Sequence, residues 1–313
     1  MKNLIIILLF INLKVIFAQA CCTAGTPILG SLELSSGNEG VLDLNLTFEN
    51  NRLNDVYEGS IKIDDNTRVR ITNSILFEMN YGITDRITST LLSTFVNQRR
   101  SITPAGGVKN ELSSSGVGDV VLMVKYKVWK LDLFNRMEIS LGGGIKLPVG
   151  DSQLKSNGLL IPADMQPGTG SWDSVFWIYF TKEFSGEFPL SVLGNLSYRN
   201  NSSNERFGEG TGGYKFGNEL VVTTGLFYRT DSFADFSFLV RFRNTQRDKF
   251  NNSEIPNTGG DWINIVPGIN FNIYINWIAR LSSQIPVFRD LDGTQLTTSY
   301  TIGISLFHSI NLN

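Results

Sequence analysis

The sequence predicts an all-β protein: a transmembrane antiparallel up-and-down β-barrel of about 12 strands, with long extracellular loops and short periplasmic turns. Three observations carry this. Strands alternate apolar and polar positions along almost the whole chain, as in Gly118–Trp129, where Val120, Leu122, Val124, Tyr126 and Val128 oppose Asp119, Lys125 and Lys127. Long polar connections and short turns alternate between those strands. Aromatic residues gather at the two ends of the strands, as amphipathic rings do at two membrane interfaces. A soluble sandwich would also alternate, but its loop lengths and its aromatics would follow no such order.

The chain begins with a Lys2 n-region, an apolar run from Leu4 to Ile11 and Ala18-Gln19-Ala20 before Cys21. This is the pattern of a secretory signal peptide over residues 1–20. Lys14 cuts the apolar run too short to span a bilayer as a helix, and no later segment is apolar for about 18 residues. The two cysteines, Cys21 and Cys22, are adjacent and cannot form a disulfide framework. They are incidental thiols, a vicinal pair, or, at Cys21, a site of lipidation. A metal at two neighbouring thiols without a nearby histidine is disfavoured. The net charge of −2 leaves no electrostatic footprint for nucleic acid.

Residues 21–40 form a segment that lies in the periplasm or enters the lumen as a plug, and 41–313 form the barrel. Strands are expected at 41–49, 68–81, 86–96, 118–129, 136–147, 172–181, 189–199, 215–229, 232–243, 262–274, 276–287 and 296–310. Pro267, inside the tenth, predicts a bulge there. The outer aromatic belt is expected to hold Phe48, Phe95, Trp172, Tyr198, Phe216, Phe242, Trp262 and Phe288. The inner one is expected to hold Tyr81, Trp129, Phe134, Phe184, Phe188, Tyr228, Phe233, Tyr274 and Trp277.

By parity the lumen-lining candidates are Asp43, Glu78, Asp119, Lys125, Lys127, Glu138, Lys146, Arg199, Glu219, Asp235, Arg241, Arg243 and Arg280. Both signs occur, so one reading is a mutually paired, solvated wall. The other is an anion-attracting surface made by Arg199, Arg241, Arg243 and Arg280. The loop 148–170, with Leu159, Leu160, Ile161 and Met165, is apolar enough for a lid or an interaction site.

Nothing in the sequence assembles a catalytic constellation. The sole histidine, His308, shares its side of the last strand with Ile302, Ile304 and Leu306 and so faces lipid or the periplasmic rim. Gly142-Gly143-Gly144 precedes no helix and is no phosphate loop; these glycines permit bending or close packing. Neither a cofactor nor a metal is expected.

Gly116-Val-Gly-Asp119, Lys125-Tyr126, Gly144-Ile-Lys-Leu-Pro-Val-Gly-Asp151 and the Tyr81-Gly-Ile-Thr-Asp85 turn resemble outer-membrane transporters of the phenol-degradation (meta-pathway) type, distant relatives of the long-chain fatty-acid transporters. The resemblance implies a porin-like Gram-negative barrel that passes or binds small hydrophobic or aromatic compounds. The expectation is therefore a passive channel with no enzymatic activity, its partners being outer-membrane lipid and a small solute. The second reading is an accessory barrel that binds partner proteins through its extracellular loops or its N-terminal segment.

Overall fold

A computed structural model describes residues 37–103, 107–131, 136–184, 189–210, 212–230 and 233–312. The signal-peptide segment, Cys21 and Cys22 lie outside these residues. Eleven long strands follow one another round a single closed sheet: β1 (Val41–Gly59), β2 (Arg68–Gly82), β3 (Ile87–Ile102), β4 (Val120–Trp129), β5 (Met137–Leu147), β6 (Asp173–Phe184), β7 (Leu190–Asn200), β8 (Glu219–Tyr228), β9 (Ala234–Thr245), β10 (Gly260–Tyr274) and β11 (Trp277–Asn311). Each pairs antiparallel with the next, and β11 pairs with β1 from Val41↔Asn311 upward, which closes the barrel.

The last strand is two staves. Its residues 277–291 run outward beside β10, and 294–311 return beside β1. The reversal falls at Asp292-Gly293, where Gly293 takes φ +74°, the left-handed conformation such a tight connection needs. Twelve staves therefore cross the wall. The sequence places a polar loop here, but a two-residue turn is enough.

The apolar sides face outward. On β4, Leu122, Val124, Tyr126, Val128 and Trp129 are exposed, while Val121, Met123, Lys125 and Lys127 are buried. In a soluble protein so much exposed apolar surface would be an aggregation hazard; wrapped round a closed sheet it is a lipid-facing band. His308 is half-buried on this outer face and stacks on Trp277 at 4.0 Å between ring centroids.

Several local expectations change. β1 continues to Gly59 and folds against a short strand, Ile61–Ile63, because bulges near Leu53 let it go on pairing beyond the polar run. The region after β3 is not all loop, since Asn110–Val117 pairs with the outer half of β3. Gly118 and Asp119 then interrupt the stave before β4 resumes pairing lower down the same strand. The tenth strand stays in register with β9 through Phe238↔Pro267. The irregularity on its other side lies between Ile263↔Phe288 and Asn264↔Pro286, which leaves Val287 as the extra residue. Phe216 and Trp262 are not in the outer belt; both are buried, Phe216 under the outer loops and Trp262 against Leu291.

Candidate functional site

Among the described residues, buried side chains crowd the inner face of the sheet. A girdle of apolar side chains crosses the lumen: Leu92, Val121, Met123, Val175, Trp177, Tyr179, Leu193 and Val221, with Phe227 against them. Trp177 and Tyr179 stack at 5.5 Å, and Lys125 lies 4.7 Å over the Trp177 ring. Room for the indole comes from Gly142, whose missing side chain would sit 3.0 Å from it. Two glycines of the Gly142–Gly144 run therefore face inward, and their smallness is what admits the tryptophan.

Charged groups surround this girdle in small networks. Lys125, fully buried, pairs with Glu78 at 3.8 Å and donates to Asn80 at 3.1 Å. Glu138 accepts from Ser140 at 2.8 Å. Glu219, also fully buried, meets Arg199 at 2.9 Å and Arg243 at 2.6 Å, and Arg243 lies 4.9 Å over Trp262. Arg241 donates to Gln284 at 2.5 Å, while Arg280 lies 6.0 Å over Phe227. Two of the four arginines suggested as an anion-attracting surface are thus held by one carboxylate. Nearer the periplasmic mouth, Asp43 accepts from Ser309 at 2.5 Å and Asp235 from the Thr230 amide at 3.0 Å.

The same mouth is crossed by the chain leading into β1. Thr88, inside the barrel, donates to the Gly37 carbonyl at 3.3 Å, and Lys127 reaches Asn38 at 3.1 Å. Gly82 has no room for a side chain because the Asn38 carbonyl lies against it. The described part of the N-terminal segment, 37–40, therefore lies within the barrel mouth.

The outer half of the lumen is occupied by the connection 148–172. It dips inward and makes a 3-10 turn, Ala163–Met165, with all three residues buried. Its tip is clamped by Arg70, which donates to the Asp164 carboxylate at 3.2 Å and its carbonyl at 2.7 Å; Arg100 stands 3.7 Å from the same carboxylate. Gln98 accepts from Arg70. Its two roots are tied by Asp119, which accepts from the Gly150 amide at 3.1 Å and from the Thr169 amide and hydroxyl at 2.9 and 2.7 Å. Lys146 joins Asp119 at 2.8 Å to Asp173 at 2.6 Å and touches Thr169. Gly118, Gly150 and Gly168 stack so closely that a side chain on Gly150 would lie 2.6 Å from the Gly118 carbonyl carbon. The Gly-Asp and Pro-Val-Gly-Asp signature of the sequence is thus the hinge of an inserted loop.

Arg70, Gln98, Asp164 and Asp173 were not among the candidates. Arg70 shares strand parity with Glu78 and could have been found; Asp164 lies in an irregular loop whose path no periodicity reveals. The apolar girdle gave little signal, because Phe176, Ile178 and Phe180 make the outer side of β6 as apolar as the inner one.

Above the loop, two other connections make a roof. Ser203–Asn204, Tyr214–Lys215, Lys249–Phe250 and Ser253–Glu254 form a four-stranded sheet, and Tyr214 and Phe216 pack on Ala163 with Phe207 and Ile255 around them. Asp248 is half-buried within it. It accepts from the Tyr214 hydroxyl at 2.7 Å and the Gly217 amide at 2.8 Å. Burial outweighs those bonds and pushes its carboxyl up to about 6. The folded roof therefore keeps a proton that the opened roof releases, so its stability falls as pH rises from about 4 to about 6, by about 3 kcal/mol in all. Amide exchange in 201–218 and 246–259, corrected for intrinsic rates, should be slower at pH 5 than at pH 8. Asp248→Asn should abolish the difference; a difference that survives this change shows that another group is responsible.

No protein-family model matches the chain, and no curated protein matches it. Among solved structures it is similar to the COG4313 outer membrane channel from Pseudomonas putida F1. The two are 14% identical, 90% of this chain and 98% of that one are covered, and the TM-score is 0.68. The fold is that of an outer-membrane β-barrel. More distant barrels include a FadL homologue from Pseudomonas aeruginosa, at 9% identity over 95% of this chain and 99% of that one, with a TM-score of 0.43. The NanC porin, at 10% identity over 85% and 98%, has the same score. In this outer-membrane barrel the short turns are periplasmic, and the inserted loop and roof stand at the extracellular mouth.

Proposed function

We propose that this protein is a passive outer-membrane channel for small hydrophobic or aromatic solutes, gated by the loop 148–172. The observation that carries the reading is the apolar girdle. A water-filled pore would have polar walls at mid-depth, whereas Trp177, Tyr179 and Phe227 offer an apolar solute a surface it can replace water against. The resemblance of the hinge residues to the phenol-degradation transporters supports the same solute class. The filled lumen is the closed state, and the clamp on Asp164 is what must release. No covalent chemistry enters this role.

In planar bilayers the wild type should open rarely, and Asp164→Ala should raise open probability severalfold by freeing the loop tip from Arg70. A deletion strain should take up an aromatic acid more slowly than its parent while taking up a sugar at an equal rate. Equal uptake of the aromatic acid would remove the solute class.

The packed lumen and roofed outer mouth also favour a second reading, an accessory barrel that holds partner proteins on its extracellular loops. It predicts a bilayer that stays silent even when the loop tip is freed.

A further inference from the structure

The strand register places Arg52, Ile71 and Arg99 side by side on the outer face of β1, β2 and β3 through the pairs Arg52↔Ile71 and Ile71↔Arg99. Each arginine lies four residues beyond the outermost outward aromatic of its strand, Phe48 for Arg52 and Phe95 for Arg99. Four residues advance about 14 Å along a strand, or about 10 Å along the axis of a barrel whose strands tilt by about 40°. That puts both cations beyond the hydrocarbon, in the head-group layer of the outer leaflet. Among the described residues neither guanidinium makes a hydrogen bond or a close ion pair; Arg99 lies near Glu111, whose carboxylate it helps to hold charged. Arg99 also borders a depression of about 350 Å³ that opens on the same face, floored by Val69 and Ile71. Lys109 lies on its rim, where Glu111, 2.6 Å away, holds it.

We propose that Arg52 and Arg99 bind the phosphate of a phosphorylated glycolipid head group in the outer leaflet, with its sugar seated against Ile71 and Val69. Planar guanidinium groups suit a phosphate's oxygens, and an arginine is less strongly hydrated than a lysine and so better suited to a half-dehydrated interface. The two strands hold the arginines about 10 Å apart, a spacing their side chains close over one anion. The inference rests on the membrane placement of the barrel and is independent of what the lumen carries.

The test uses the full-length mature protein, first shown by heat-modifiable migration to be folded in vesicles of phosphatidylcholine. Failure at that step would overturn the membrane placement itself. Native mass spectrometry is then run with a bis-phosphorylated glycolipid, with its dephosphorylated form and with inorganic phosphate alone. The wild type should retain the phosphorylated lipid about tenfold better than Arg52→Gln/Arg99→Gln, and Arg52→Lys/Arg99→Lys should recover part of the difference. The dephosphorylated lipid should bind no better to the wild type than to the double variant. Equal retention of the phosphorylated lipid by wild type and double variant would overturn the assignment, as would binding of inorganic phosphate without the lipid.

Discussion

Glu219→Ala should be among the most destabilising single changes in the barrel, lowering the free energy of unfolding by about 3–5 kcal/mol. Glu219 is fully buried, and its two oxygens hold Arg199 at 2.9 Å and Arg243 at 2.6 Å. Arg199 is itself buried and cannot reach water if the carboxylate is removed. Arg243 is better placed, since the face of Trp262 lies 4.9 Å away and part of its side chain is exposed. The cost of the change is therefore mostly that of an uncompensated charge on β7, beyond the lost contacts. Urea unfolding in detergent, followed by tryptophan fluorescence, measures it. A second variant separates the causes: Glu219→Leu with Arg199→Leu removes the stranded charge and should regain most of the loss. If the double variant is as unstable as the single one, packing and not charge is what Glu219 supplies.

Asp119→Ala should open the channel. Three hydrogen bonds to Gly150 and Thr169 and an ion pair to Lys146 end on this carboxylate, so it holds both roots of the loop 148–172 at once. Lys146 keeps Asp173 at 2.6 Å and stays paired, which confines the damage to the loop. Bonds to a charged acceptor contribute about 1.5–3 kcal/mol each, and a tenfold change in an equilibrium needs about 1.4 kcal/mol. Open probability in planar bilayers should rise at least about tenfold, and Asp119→Asn should fall between the two. An Asp119→Ala protein that folds, runs as a heat-modifiable band and yet conducts like the wild type would show that the loop is a fixed part of the wall.

The barrel was legible in the sequence because its determinants are local. Alternation along a strand depends only on which side meets lipid, and the rhythm of long and short connections follows from a chain crossing a membrane repeatedly. Strand positions from Arg68 to Tyr274 follow that rhythm to within a few residues, apart from the interrupted stave at Gly118-Asp119. What escaped was whatever depends on partners far apart in the chain. The polar run after Glu49 reads as a loop, yet it pairs with 294–302 across the closing seam. Trp262 reads as a belt residue, yet its indole N–H donates to Thr297 at 3.1 Å inside the barrel. The inserted loop is the largest omission: its apolar residues were visible, but its destination is set by Arg70 and Asp119, which lie far back in the sequence. The close approach of Gly118, Gly150 and Gly168 likewise joins residues far apart in the chain, which no local pattern reveals.

The closing seam has a consequence for how the molecule comes into being. Val41 meets Asn311, so one side of the first strand has no partner until residues 294–311 are in place. Up to that moment the growing sheet has two open margins, each offering a row of unmet backbone groups to any neighbour. The final hairpin turns at Asp292-Gly293 and supplies both the last stave and the seal in one movement. Chains that stop short of residue 294 would carry most of the lipid-facing band, lacking Tyr300, Ile302, Ile304 and Leu306, and leave the cylinder unsealed, a state that sticks to copies of itself. The two-residue turn at Asp292-Gly293 keeps the sealing stave close to the strand before it.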